Sequence, residues 1–171
     1  IVRYADDWVC ACRFKRDADW FYQVLPERVA KFGLPVEPSK TRIHRFSRFH
    51  PGMERRFSVL GCEFFWALDR NGTPRVKRRT ARKKLQSCVK RIKEWIRDNR
   101  HKRKHWFFAK LRTKLRGHYQ YYGVRGNAQS LWRCYEEVNE ACFTWLNRRS
   151  QRRSYTWEAF KRLLTYLNIP K

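Results

Sequence analysis

FSVLGCEFFWALDRNGTPRVKRRTARKKLQSCVKRIKEWI, residues 57–96, contains two different structural grammars. Residues 57–68 are aromatic, β-branched and small, and they read as one strand. DRNG follows as a turn, and residues 74–78 return along it. From residue 80 the period changes. Thr80 is placed to cap a helix, and Leu85, Cys88, Val89, Ile92, Trp95 and Ile96 recur at helical spacing as one apolar stripe. A β-rich part therefore ends and a helical part begins near residue 75. The fold class expected is α+β, divided as 1–75 and 76–171.

The helical grammar persists to the end. A second helix carries Phe107 or Phe108, Leu111, Leu115, Tyr119 and Tyr122, with Gly117 inside it. GVRGN breaks the chain. A third helix carries Leu131, Tyr135, Val138, Cys142, Trp145 and Leu146. Thr156 caps a last one, which carries Trp157, Phe160, Leu163, Leu164 and Leu167 and stops at Pro170. Upstream, residues 17–32 place Ala18, Tyr22, Leu25, Val29 and Phe32 at helical spacing, with Gly33 as the stop. Pro26 should kink or split that helix. Thr41 to Phe46 reads as a short extended run. Residues 1–4 and 8–14 flank Ala5-Asp6-Asp7, so the start reads as a hairpin with its acids at the tip. Ile1 opens in mid-strand without a preceding turn, and the expectation is a C-terminal piece of a longer protein.

Charge narrows the partners. Forty-one Lys and Arg face 15 Asp and Glu, a net +26 over 171 residues. That excess calls for a polyanion, nucleic acid first and an anionic membrane surface second. The 8 Trp, 8 Tyr and 12 Phe build core and also offer faces on which exposed bases stack. No apolar run reaches membrane-span length and no signal peptide is visible, so a cytoplasmic, nucleoid-associated location is expected, with no membrane partner. Cys10, Cys12, Cys62, Cys88, Cys134 and Cys142 form no C-x-x-C pair. They read as small buried hydrophobes in a reducing compartment, with zinc binding as the other reading. The five histidines are scattered and take no catalytic role.

Asp6 and Asp7 are conspicuous in so basic a chain. At a hairpin tip strand alternation relaxes, and two carboxylates can approach one site. Their repulsion is relieved when a cation sits between them, and carboxylate oxygens suit Mg²⁺. An ordinary polar turn is the other reading, since Asp is common in turns.

The order of motifs resembles the reverse transcriptases. YADD, Tyr4 to Asp7, is similar to that family's active-site hairpin. FGLPVEPSKTRIHRF, 32–46, resembles the following block, and FSVLGCEFF, 57–65, the primer-grip block after it. LRGHYQYYGVRGN, 115–127, with TWLNRRS, 144–150, resembles the maturase region of group II intron proteins. The four blocks stand in the family's order over nearly the whole chain. The resemblance implies a partial palm, an antiparallel sheet with one helix, followed by a helical thumb and maturase bundle. It implies RNA-directed DNA synthesis and intron splicing, with intron RNA, a template–primer duplex and dNTP as partners. Asp6 and Asp7 would be catalytic Mg²⁺ ligands of a two-metal site. Lys40 would assist the leaving pyrophosphate, with a solvated surface lysine as its alternative. Tyr4, Leu60 and Gly61 would lie at the primer end, Gly61 also being readable as a simple bulge. Cys62 stands where the family usually has Phe, and Ser39 where Glu is common. The family's further catalytic Asp lies upstream of its YADD, so the metal site here is incomplete. This piece alone is expected not to polymerise, and the alternative is an inactive RNA-binding remnant.

The basic residues then acquire a role as phosphate contacts. On the first long helix these are Arg82, Lys83, Lys84, Lys90 and Arg91. In the loop and second helix they are Lys102, Arg103, Lys104, Lys110, Arg112, Lys114 and Arg116. Arg148, Arg149, Arg152 and Arg153 form a second cluster between helices. Tyr119, Tyr121 and Tyr122 offer stacking faces, although helical spacing favours Tyr119 and Tyr122 as core.

Overall fold

A computed structural model describes residues 1–49, 55–149 and 154–170. Among them the element order is β1 (Val2–Tyr4), β2 (Asp7–Val9), α1 (Lys15–Ala30), β3 (Phe57–Val59), β4 (Cys62–Leu68), β5 (Pro74–Thr80), α2 (Arg82–Asn99), α3 (Lys104–Tyr122), α4 (Ala128–Asn147) and α5 (Trp157–Tyr166). The fold is α+β, with a two-stranded sheet β1-β2 and a three-stranded sheet in the order β3-β4-β5. The chain divides into two compact units, 1–60 with 65–76 and 61–64 with 77–171.

In the first unit β1 and β2 pair antiparallel, Val2 with Val9, Arg3 with Trp8 and Tyr4 with Asp7. Ala5 and Asp6 are the two-residue connection. Ala5 lies at φ +49°, the sign that the first central position of a II′ turn requires. The Arg3 guanidinium donates to the Ala5 carbonyl at 2.9 Å and holds the turn. The second strand stops at Val9 rather than running to residue 14. Helix α1 continues through Pro26, which neither splits it nor ends it. Only one intrahelical bond is lost there, to Tyr22, and the helix has fewer than two turns left to run. Gly33, at φ +68°, turns the chain out, and its N–H donates to the Ala30 carbonyl at 2.9 Å. Residues 41–46, expected to be extended, form no strand. Phe46 instead sets its ring 5.0 Å from Phe57 and 5.6 Å from Trp66. No side chain of α1 is buried.

The single strand expected over 57–68 is two strands. Leu60 and Gly61 form a tight connection at φ +50° and +75°, the pair of positive values that defines a type I′ hairpin. The residues from Val59 to Cys62 are apolar or small without a break, so composition by itself conceals the turn. The next turn is the expected one. The Asp69 carboxylate accepts the N–H groups of Asn71 and Thr73, each at 2.9 Å, and pairs with Arg75 at 2.7 Å. These contacts, the Thr73 N–H foremost, hold its carboxyl below the usual carboxylate range.

Thr80 does not cap α2. It ends β5, fully buried, and Ala81 takes the N-cap position without a side-chain bond. Thr80 is occupied by Asn127, whose side-chain oxygen accepts the Thr80 N–H at 2.9 Å and whose amide donates to the Thr80 hydroxyl at 2.8 Å. The same amide donates to the Tyr122 carbonyl at 2.8 Å, so one buried Asn ties together the ends of β5 and α3 and the start of α4. Thr156 does cap α5, accepting the Ala159 N–H at 3.3 Å.

The core of the second unit is the predicted stripe with its partners. Leu85, Val89, Ile92 and Ile96 of α2 meet Phe107, Phe108, Leu111 and Leu115 of α3 in one cluster. Cys134, Val138, Cys142 and Leu146 of α4 join them, with Phe160 and Leu164 of α5. At about 25 cal/mol per Å² of apolar surface removed from water, this cluster supplies most of the folding drive. The cysteines divide. Cys134 and Cys142 are buried as expected, and desolvation pushes the Cys134 thiol up to about 12. Cys10, Cys62 and Cys88 are half-buried and Cys12 is exposed, with its sulfur 3.9 Å from that of Cys10, which corrects the buried reading for these four.

Candidate nucleic-acid interface

The faces of the helices that the core does not use are basic. On α2, Arg82, Lys83, Lys84, Lys90 and Arg91 are exposed. Lys90 makes a long 4.0 Å approach to Glu94 one turn on. Such exposed pairs contribute little, so its charge remains available. On α3, Trp106, Lys110, Lys114, Gly117 and Tyr121 fall three or four apart and are all exposed, hence on one face. Aromatic residues stand at both ends of that face, Tyr121 with 58% of its surface exposed and Trp106 with 40%. A Cβ added at Gly117 meets nothing within 4 Å, so the glycine leaves an open gap in the face. Arg116 is exposed beside it, and Lys102 and Arg103 are exposed in the loop before α3.

Several predicted phosphate contacts have other partners. Arg112 is half-buried, and its guanidinium donates to the Leu167 carbonyl at the end of α5. Arg149 donates to the Lys102 carbonyl at 3.0 Å, binding the α2–α3 loop to the end of α4. Lys104 lies 5.0 Å from the Tyr155 ring centroid and Lys114 5.2 Å from that of Trp95. Arg148 and Arg100 lie 5.3 and 5.1 Å from the Trp145 ring. A cation over an aromatic face keeps its charge outward and loses side-chain freedom, so these are pre-positioned charges. Arg112 and Arg149 are each tied to a backbone carbonyl of another element by hydrogen bonds. Arg152 and Arg153 lie outside the described residues. The Lys114–Trp95 and Arg100–Trp145 pairings join different helices, so no local spacing reveals them.

The motif RGHYQYYG is divided between core and surface. Tyr119 is packed against the core and its hydroxyl is pushed upward by burial. Tyr122 is half-buried, its hydroxyl 2.7 Å from where a Cβ at Gly61 would lie, while Tyr121 faces outward. Only Tyr121 remains as a stacking face. His118, unassigned from sequence, is buried with Nδ1 3.5 Å from the Cys88 sulfur, and desolvation lowers its pKa.

In the first unit Asp6 occupies the tip of the hairpin, and Asp7 is the first residue of β2 opposite Tyr4. Tyr4, Asp6 and Asp7 are all exposed. Among the described residues no group of three or more His, Cys, Asp or Glu is placed to hold a metal ion. The two acids are carboxylates, the ligand type that Mg²⁺ takes. Lys40 sits exposed in a turn, its N–H donating to the Glu37 carbonyl at 3.2 Å. Hydrogen bonds from Ser39, and then the charge of Lys40, hold the Glu37 carboxyl below its ordinary range. Leu60 and Gly61 form the β3–β4 turn, so Gly61 is a turn glycine rather than a bulge within a strand.

Comparison with protein families, with curated proteins and with solved structures finds no match for this chain. Among the described residues no helix is long and apolar enough to cross a membrane.

Proposed function

We infer that this chain binds RNA through the basic, aromatic-bordered faces of α2 and α3. We further propose that it is the rear part of a palm with the thumb and maturase bundle of a group II intron reverse transcriptase. The observation that carries the RNA reading is the α3 face, where Lys110 and Lys114 lie between exposed Trp106 and Tyr121 around an uncovered Gly117. Lysines there neutralise phosphates, and the aromatic residues stack on splayed bases.

Two features support the polymerase reading. The YADD motif forms a tight hairpin, with Asp6 at its tip and Asp7 beside it. The first unit also leaves large apolar side chains uncovered, among them Phe32, Trp20, Phe14 and Leu34. A palm separated from the remainder of its sheet would have such a surface. In this reading Asp6 and Asp7 hold Mg²⁺ on the cytoplasmic, nucleoid-associated enzyme, with Lys40 near the leaving pyrophosphate. When bound, the metal supplies activation of the primer 3′-hydroxyl. Two carboxylates do not complete that site, so the chain alone is expected not to extend a primer on an RNA template. The test pairs two assays. RNA affinity of this chain is measured across a salt series, and primer extension is measured on a longer parent with and without Asp6→Ala. The reading requires steep salt dependence, and synthesis lost in the variant with binding retained. Salt-independent binding refutes phosphate contact, and synthesis surviving Asp6→Ala refutes the metal assignment. Tight RNA binding by a parent that never synthesises DNA would instead establish the inactive RNA-binding remnant.

A further inference from the structure

Two thiols meet just beyond the YADD hairpin. Cys10 directly follows β2, and Cys12 stands two residues on, in the link of residues 10–14 that leads to α1. Their sulfurs are 3.9 Å apart. Cys12 is exposed and Cys10 half-buried, so a small reagent in solution reaches the pair. The other four cysteines are placed differently. Cys134 and Cys142 are buried in the helical core, and burial pushes the thiols of Cys62 and Cys88 upward. Thiols held protonated by apolar surroundings are poor nucleophiles. The link from residue 10 to residue 14 lies in no helix or strand, so its backbone and side chains adjust without breaking a hydrogen-bond ladder.

The structure assigns Cys10 and Cys12 as a reversible dithiol–disulfide couple, a modification site in the first unit. The inference stands on this pair and holds whether or not the chain binds RNA. Two residue steps span at most about 7 Å between Cα atoms, at the upper edge of the roughly 4.4–6.8 Å that a disulfide bridges. Rotation of the two side chains, with a slight bend of the link, brings the sulfurs from 3.9 Å to the bonded distance of about 2.05 Å. A disulfide needs these two sulfurs alone. A tetrahedral zinc site needs two further ligands, and among the described residues no group of three or more His, Cys, Asp or Glu is placed to hold a metal ion. The oxidant is a low-molecular-weight disulfide such as oxidised glutathione. One protein thiolate attacks it, which forms a mixed disulfide and releases one glutathione. The second protein thiolate then attacks the protein sulfur of that mixed disulfide, closes the ring and releases the second glutathione. The two protein thiols give up two electrons and two protons, and the two glutathione sulfurs take them up. The closed loop holds only residues 10–12, so it constrains the unfolded chain little, and it is open to solvent. Such a bond is labile rather than structural, and excess reduced thiol reopens it. In a reducing compartment the couple rests as the dithiol and is oxidised transiently.

The test uses the full 171-residue chain, fully reduced and then mixed with oxidised glutathione. Desolvation, the Cys10 thiol and the Asp17 charge raise the Cys12 pKa, so the exchange is run at about pH 8.5. Remaining thiols are blocked with N-ethylmaleimide at timed intervals, and intact mass with peptide mapping locates each bond. The expected product has lost two hydrogens, carries its disulfide between Cys10 and Cys12, and returns to the dithiol in excess reduced glutathione. Cys10→Ser and Cys12→Ser each remove the sulfur that resolves the mixed disulfide. The glutathione adduct on the remaining cysteine should therefore last at least roughly tenfold longer than in the unaltered chain, where the second thiol is held at high effective concentration. Equal adduct lifetimes overturn the inference, because the two sulfurs then do not reach each other. It is also overturned if Cys10 and Cys12 both remain open to the blocking reagent, or if either bonds first to another cysteine of the chain or to a second molecule.

Discussion

Gly61 and Gly117 respond to the same substitution with opposite signs. Gly61 lies at φ +75°, and a Cβ there would sit 2.7 Å from the Tyr122 hydroxyl. Gly61→Ala is expected to lower stability by about 1–3 kcal/mol, and adding Tyr122→Phe to recover part of the loss. Gly117 has helical φ and open space at its missing Cβ, so Gly117→Ala should raise stability by about 0.5–1 kcal/mol. Urea unfolding of both variants checks the pair, and a stabilised Gly61→Ala would refute the hairpin packing described here. His118 predicts a pH effect. Its folded-state pKa is lowered by desolvation, so the unfolded chain binds the proton more readily. Stability contributed by the neutral imidazole is therefore full above the unfolded value of about 6.5 and is lost as pH falls below it toward the folded value. Thermal midpoints measured between pH 7.5 and 5 should fall, and His118→Phe should flatten the part of that slope due to this residue.

At the scale of elements, α3 carries two kinds of cation that the sequence does not distinguish. Lys110 and Lys114 lie on the outer face, whereas Arg112, half-buried, closes the end of α5 through the Leu167 carbonyl. Lys110→Ala and Lys114→Ala are expected to leave the melting temperature almost unchanged and each to reduce the slope of log affinity against log salt by about 1. Arg112→Ala should lower stability by about 1–2 kcal/mol with little direct effect on that slope. Anisotropy titrations with a labelled RNA and thermal melts decide between these outcomes. Equal effects from all three would merge the two classes. Patterning made the helices legible because each is amphipathic over four or more turns, and the stripe from Leu85 to Ile96 is the buried one, Cys88 and Trp95 packing at its edge. The turn at Leu60-Gly61 was not legible. A leucine at positive φ is a poor turn former, and it is held there by strand pairing and by the Ala81 N–H, which donates to the Gly61 carbonyl at 2.9 Å.

Over the whole molecule, the two units differ in how they are held. The buried apolar core of the described residues lies between Ala81 and Ile169, and α1 buries nothing. Amide exchange in α1 and the β1–β2 hairpin is therefore expected to be orders of magnitude faster than in α2, α3 and α4. Mass-spectrometric exchange at neutral pH measures this, and equal protection would show that the first unit has a core of its own.

The sequence by itself determined the α+β class, the number and faces of the long helices, the hairpin at YADD and the net charge of +26. Each of these depends on local period, on turn residues or on summed charge, which are additive along the chain. Tertiary structure decided which cations are free, because Arg112 and Leu167 are 55 residues apart and no local pattern relates them. It also decided that Thr80 bonds to Asn127 instead of capping a helix. Those assignments depend on which surfaces come together when the helices bury their apolar faces, and they are made only on packing.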